Sequence, residues 1–172
     1  PRKTANFTVT VASSARVLVN MSSGGSFTLN LRPDKAPGHV ANFVSLVNEG
    51  FYDGIKFHRR EDLDLSNAIP DFIVQGGDPL TKTLPLSDPS IGSGGPGYAI
   101  PFETNDLKHD QYALAMARSS GLDTAGSQFY LCQDAVHFLD GNYVVFGSVA
   151  SGFTDVDALR VGDTISSMTT IP

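Results

Sequence analysis

The chain is poor in cysteine, poor in basic residues and without a long apolar run, and each shortage removes a class of protein. Cys132 is its single cysteine. One cysteine cannot form an internal disulfide, and it cannot build a zinc site by itself. Its setting, Phe129-Tyr130-Leu131-Cys132, marks a buried, inert thiol. Lys and Arg number 12 against 18 Asp and Glu, a net charge of −6, and no short window is rich in Lys or Arg. A nucleic-acid partner is disfavoured, because phosphate binding needs clustered cations. No apolar stretch approaches the ~18 residues of a transmembrane helix, so no membrane partner is expected. Pro1-Arg2-Lys3-Thr4 leads into no signal-like apolar region, and the expected location is the cytoplasm.

Ligand patterns are scarce too. His39, His109 and His137 are scattered without a partner at ligand spacing, so no metal is expected. The loop Gly92-Ser93-Gly94-Gly95-Pro96-Gly97 lacks the Lys-Ser/Thr that completes a phosphate-binding loop. Glu61-Asp62-Leu63-Asp64 gathers carboxylates but lacks the alternating oxygen ligands and glycine of a calcium loop. It reads as a solvated acidic loop.

What is present fits one domain spanning residues 1–172. There is no repeat and no signal for an oligomer, so a monomer is expected. Asn6 to Val11 and Ser26 to Leu31 alternate apolar and polar residues, the pattern of half-buried strands. Gly24-Gly25 suits a hairpin turn from Val17-Leu18-Val19 into the second. The period then changes. Val40, Phe43, Val44 and Val47 fall on one face of a helix that Pro37 can start and Gly50 can end. Strand signals return at Phe72 to Gln75, Tyr112 to Ala117, Gln128 to Cys132, Tyr143 to Val149 and Thr164 to Ile171. A shorter helix is expected around Thr154 to Arg160. Many strands with two helices imply a β-barrel or sandwich with helical plugs.

Four stretches carry more than periodicity. They are Phe51-Tyr52-Asp53-Gly54 with Phe57-His58-Arg59; Phe72-Ile73-Val74-Gln75-Gly76-Gly77-Asp78; Pro101-Phe102-Glu103 with Asn105, Leu107-Lys108-His109 and Leu114-Ala115-Met116-Ala117; and Gly126-Ser127-Gln128-Phe129 with Leu139-Asp140-Gly141 and Val144-Val145-Phe146-Gly147. In order and spacing, from about Val17 to Ile171, they resemble the cyclophilin family of peptidyl-prolyl cis/trans isomerases. The resemblance implies a mainly β fold, a closed eight-stranded antiparallel β-barrel capped by two α-helices. It implies an active groove outside the barrel, no cofactor, and proline-containing peptides and unfolded proteins as partners.

Position by position, the resemblance assigns Arg59 as the catalytic arginine and Phe72 and Ile73 as an apolar pair lining the proline pocket. Gln75 and Gln128 match the polar groove residues, and Ala117 and Arg118 the strand edge that meets the peptide backbone. Tyr130 matches an aromatic floor that is more often Phe. Phe138 and Leu139 match the residues closing the pocket, and Tyr143 stands where many members have His. Arg59, Phe72, Gln75 and Gln128 are thus the catalytic candidates. The residue types suit the task. Rotation about an Xaa-Pro bond breaks amide resonance against a barrier near 18–20 kcal/mol, and no bond is made or cut. The catalyst must prefer the twisted amide. A permanently charged guanidinium can donate to the pyramidal nitrogen or anchor a carbonyl while an apolar cup holds the ring.

The chain also departs from the pattern. Members usually pass from Phe-His-Arg to the pocket within a few residues, whereas Arg60 to Ala68 intervene here. The insertion either bulges outward and leaves Arg59 in place, or shifts the register so that Arg60 serves. Phe138 in place of Trp removes an indole N–H and implies weak cyclosporin binding. Tyr143 is compatible with activity, since no proton is transferred there. His58 reads as a packing histidine rather than a base. Two other functions compete: a proline-binding or chaperone module with little turnover, and a ligand-carrying barrel of the lipocalin kind.

Overall fold

A computed structural model describes residues 15–62 and 72–172. Strand β1 (Ala15–Met21) turns back into β2 (Ser26–Leu31), with Asn20 opposite Ser26. Gly24 sits at φ +99° in the turn, a conformation that L side chains rarely adopt. The expected strand from Asn6 to Val11 lies outside the described residues. Helix α1 (Pro37–Asn48) starts on Pro37 and is followed by Gly50 at φ +67°. Val40, Phe43, Val44 and Val47 are buried, as their spacing predicts. Strands β3 (Arg59–Asp62), β4 (Phe72–Gly76), β5 (Ala113–Met116), β6 (Phe129–Cys132) and β7 (Val144–Ser151) follow, then helix α2 (Phe153–Ala158) and strand β8 (Ile165–Ile171).

Strand β3 was unforeseen. Its residues Arg59-Arg60-Glu61-Asp62 have no apolar alternation; their extended form comes from antiparallel pairing with β4. The start of the insertion is therefore a hairpin arm, and residues 63–68 of it lie outside the described residues. Helix α2 is shorter than expected. Chain direction changes at Leu159, and the Gln133 amide, reaching across from the end of β6, donates to the Val156 carbonyl at 2.7 Å. A distant side chain thus satisfies an acceptor that further helix would have used.

The eight strands form one antiparallel sheet in the order β3-β4-β6-β5-β7-β2-β1-β8. The expectation of full closure needs correction: among the described residues, β3 and β8 remain edges of a curled half-barrel rather than ladder partners. Just upstream of β3 the seam is stitched instead by Gly54 and Ile55 to Ile165, and by Phe57 to Gly162 and Asp163. Inside, Phe43 from α1 meets Phe129 and Phe146 edge-on, with centroids 5.5 and 5.3 Å away, and Tyr52 and Phe57 also pack against Phe129. Aromatic bulk fills the interior, the opposite of the sparse lining a ligand-carrying barrel requires.

The sheet has a second apolar side. On β6, Phe129 and Leu131 face the main core, while Tyr130 and Cys132 join a separate cluster with Ile73, Ala113, Ala115, Val136 and Val145. Ala117, Leu139 and Tyr143 are half-buried against it. Period-two alternation therefore produces a filled barrel and an apolar outer surface from the same strands.

Candidate active site

Register decides which side chains meet above that outer surface. Opposed residues of an antiparallel ladder share a face. Arg59 pairs with Gln75 and Glu61 with Ile73, so these four stand together. Arg60 pairs with Val74 and Asp62 with Phe72, on the other face. The insertion has not moved the register: Arg59 is the arginine beside the glutamines. Its Nη1 donates to Gln75 Oε1 at 3.1 Å, and Gln75 Nε2 donates to Gln128 Oε1 at 2.9 Å. Gln128 Nε2 in turn donates to the carbonyls of Gly92 and Gly94 at 2.9 and 2.8 Å. A continuous polar chain runs from an exposed cation to a loop.

That loop is anchored by Asp78, a role that no local sequence pattern signals. The buried Asp78 carboxylate accepts N–H groups from Leu80, Gly92 and Gly94. Gly77 precedes it at φ +92°, where a Cβ would lie 2.3 Å from the Ser127 carbonyl oxygen. Only glycine permits this approach of β4's end to β6. Beside the loop, an open groove of about 530 Å³ runs past Gln75, Gln128, Ala117 and Arg118.

The apolar floor is built from Ile73, Tyr130, Leu139 and Tyr143. Tyr130 brings a hydroxyl into it, which requires a partner. The partner is His109 Nε2 at 3.0 Å, and His109 Nδ1 lies 2.9 Å from Asp140 Oδ1. With Nδ1–H donating to the carboxylate, Nε2 accepts from the phenol. Burial pulls His109 below its ordinary pKa despite Asp140, so the ring is neutral near pH 7. Burial also pushes the Tyr130 hydroxyl far above its usual range. Asp140 is pushed up by burial but drawn below the usual carboxylate range by the backbone and ring N–H groups of His109 and by Lys108. Tyr143 meets Tyr130 edge-on at 6.0 Å and carries the Arg118 guanidinium 4.7 Å over its ring. Arg118 also donates to the Asn142 and Ser119 carbonyls.

Two sequence candidates fall outside this assembly. Phe72 belongs to the opposite face, where its ring lies 3.8 Å under the Arg60 guanidinium. Phe138 is 53% exposed beside Leu139 and does not pack into the apolar cluster. For Phe72 the reason is alternation along β4, where successive side chains take opposite faces; Phe138 lies instead on the 3-10 turn His137–Leu139. Conversely, Glu61 reads in sequence only as part of an acidic loop, yet its Oε2 accepts the Arg59 Nε–H at 2.5 Å. His58 is half-buried, and burial lowers its pKa, in keeping with a packing role. Burial pushes the Cys132 thiol up to about 12, so it stays protonated and unreactive.

A cation, two amides and an apolar cup, with no nucleophile among them, can hold a peptide without making or breaking a bond in it. The comparisons agree. The family model for "Cyclophilin type peptidyl-prolyl cis-trans isomerase/CLD" matches residues 16–171, and the chain belongs to that family. It is 40% identical over 150 residues to peptidyl-prolyl cis-trans isomerase B of Bacillus subtilis, covering 86% of this chain and 92% of that protein. Over 146 residues it is 40% identical to a peptidyl-prolyl cis-trans isomerase of Synechococcus elongatus, covering 84% and 88%. Among solved structures, a cyclophilin type peptidyl-prolyl cis-trans isomerase of Cryptosporidium parvum superposes with a TM-score of 0.75 at 25% identity, covering 92% of this chain and 98% of that one. The same protein has been crystallised in the presence of the dipeptide Ala-Pro. The chain is a peptidyl-prolyl cis/trans isomerase.

Proposed function

We propose that Arg59 supplies the transition-state contact of this isomerase, and that Ile73, Tyr130, Leu139 and Tyr143 form the cup for the prolyl ring. The carrying observation is the Arg59–Gln75–Gln128 chain standing on the same face as the apolar cluster. As the amide twists, its nitrogen gains a lone pair and its carbonyl rotates. A guanidinium contact that strengthens only then lowers the barrier, and each ~1.4 kcal/mol of that preference is about tenfold in rate. Gln75 holds the guanidinium, and Gln128 and the Ala117–Arg118 edge hold the peptide. Phe72 supports the hairpin through Arg60 and does not line the cup. Substrates are prolines in unfolded chains and loops, taken by a monomer in the cytoplasm. Cyclosporin binds weakly, because Phe138 offers no N–H donor.

Exchange NMR on an Ala-Pro peptide tests the reading. Wild type should exchange the cis and trans signals rapidly, and Arg59→Ala should bind the peptide with slowed exchange. Peptide binding without exchange in wild type would leave only a proline-binding module.

A further inference from the structure

Glu61 lies outside the stretches that carry the family resemblance, in the insertion between Phe57-His58-Arg59 and Phe72. The β3–β4 register nevertheless puts it on the face of Arg59, Ile73 and Gln75. Its Oε2 accepts from Arg59 Nε–H at 2.5 Å and is also in contact with Nη2. Gln75 takes Nη1 from the other side. We propose that Glu61 is a positioning residue for Arg59, a role that rests on Arg59 being the catalytic arginine.

The physical case is one of constraint. The Arg59 side chain is 44% exposed and sits on an edge strand, so the sheet alone gives a long flexible side chain little restraint. One hydrogen bond to Gln75 leaves the guanidinium free to swing about that contact. A second acceptor at Nε and Nη2 fixes its plane. The remaining N–H groups on Nη1 and Nη2 are left for the substrate. Neutralisation by the carboxylate is the opposing effect. Glu61 is itself 52% exposed, so solvent and salt screen its charge while the hydrogen-bond geometry persists. Constraint outweighs neutralisation, and Glu61 assists catalysis rather than restraining it. The insertion thus adds a support to the site it interrupts in sequence.

Steady-state kinetics on an Ala-Pro peptide, with Tm checked for each variant, provide the test. Glu61→Ala should lower kcat about three- to fivefold and leave KM within about twofold, because the contact acts in the transition state. Glu61→Gln keeps an oxygen acceptor for Nε–H and should recover most of the loss. In an Arg59→Ala background, Glu61→Ala should add nothing. The Arg59 Nε–H resonance should move toward the free-arginine position in Glu61→Ala. An unchanged or raised kcat in Glu61→Ala, or Glu61→Gln no better than Glu61→Ala, overturns the positioning role. Full activity in Arg59→Ala would instead overturn the catalytic arginine, and this inference with it.

Discussion

Replacing Arg60 rather than Arg59 separates fold from function in this enzyme. Arg60 Nε donates to Gln133 Oε1 at 2.7 Å, and its guanidinium covers the Phe72 ring. Gln133 is buried, and its amide nitrogen is committed to the Val156 carbonyl of α2. Arg60→Ala strips the donor from a buried acceptor, at about 1–2 kcal/mol. It also removes a partly exposed cation–π contact of about 0.5–1 kcal/mol. The sum, near 2 kcal/mol, corresponds to a fall in Tm of about 4–8 °C for a domain of this size. Activity should be unaffected, because Arg60 lies on the face away from Gln75. Arg59→Ala should do the reverse. Its ion pair with Glu61 is at the surface and contributes at most about 0.5–1 kcal/mol to stability. A lost charge-assisted contact in the transition state should cost about ten- to hundredfold in kcat/KM. Urea titration and exchange NMR on the same two variants read both quantities. An Arg60→Ala protein that is fully stable but inactive would refute the register argument.

Other consequences concern acid stability and ligand choice. His58 and His109 are both held below the ordinary histidine pKa by burial, so the unfolded chain binds protons more readily than the folded one. Stability should be full above the ordinary value of about 6.5 and should fall as pH drops from there through the lowered folded values. His109→Asn should flatten that slope in urea midpoints measured across pH; an unchanged slope would show that His109 does not titrate with folding. Phe138→Trp restores an indole N–H at an exposed position and should tighten cyclosporin inhibition roughly fivefold, the value of one added hydrogen bond. No gain would place the ligand's acceptor elsewhere.

Elements whose signals are local are legible in the amino-acid order. Val40, Phe43, Val44 and Val47 recur within a few residues and are enough to place α1, with Pro37 and Gly50 marking its ends. Alternation placed β2, apolar strand signals placed β6 and β7, and the motif pattern supplied Arg59, Gln75 and Gln128. Tertiary structure decided what depends on which strand lies opposite. Strand β3 has no apolar period and exists through its pairing with β4. The same ladder chose Arg59 over Arg60, put Phe72 on the face away from Ile73, and brought Glu61 to the guanidinium. Asp78 became a loop anchor, and His109 became the partner of a phenol, through contacts 14 and 21 residues away along the chain. Local periodicity is written in neighbouring residues, whereas the face a side chain occupies in a sheet is fixed by cross-strand register, and a shift of one residue reverses it.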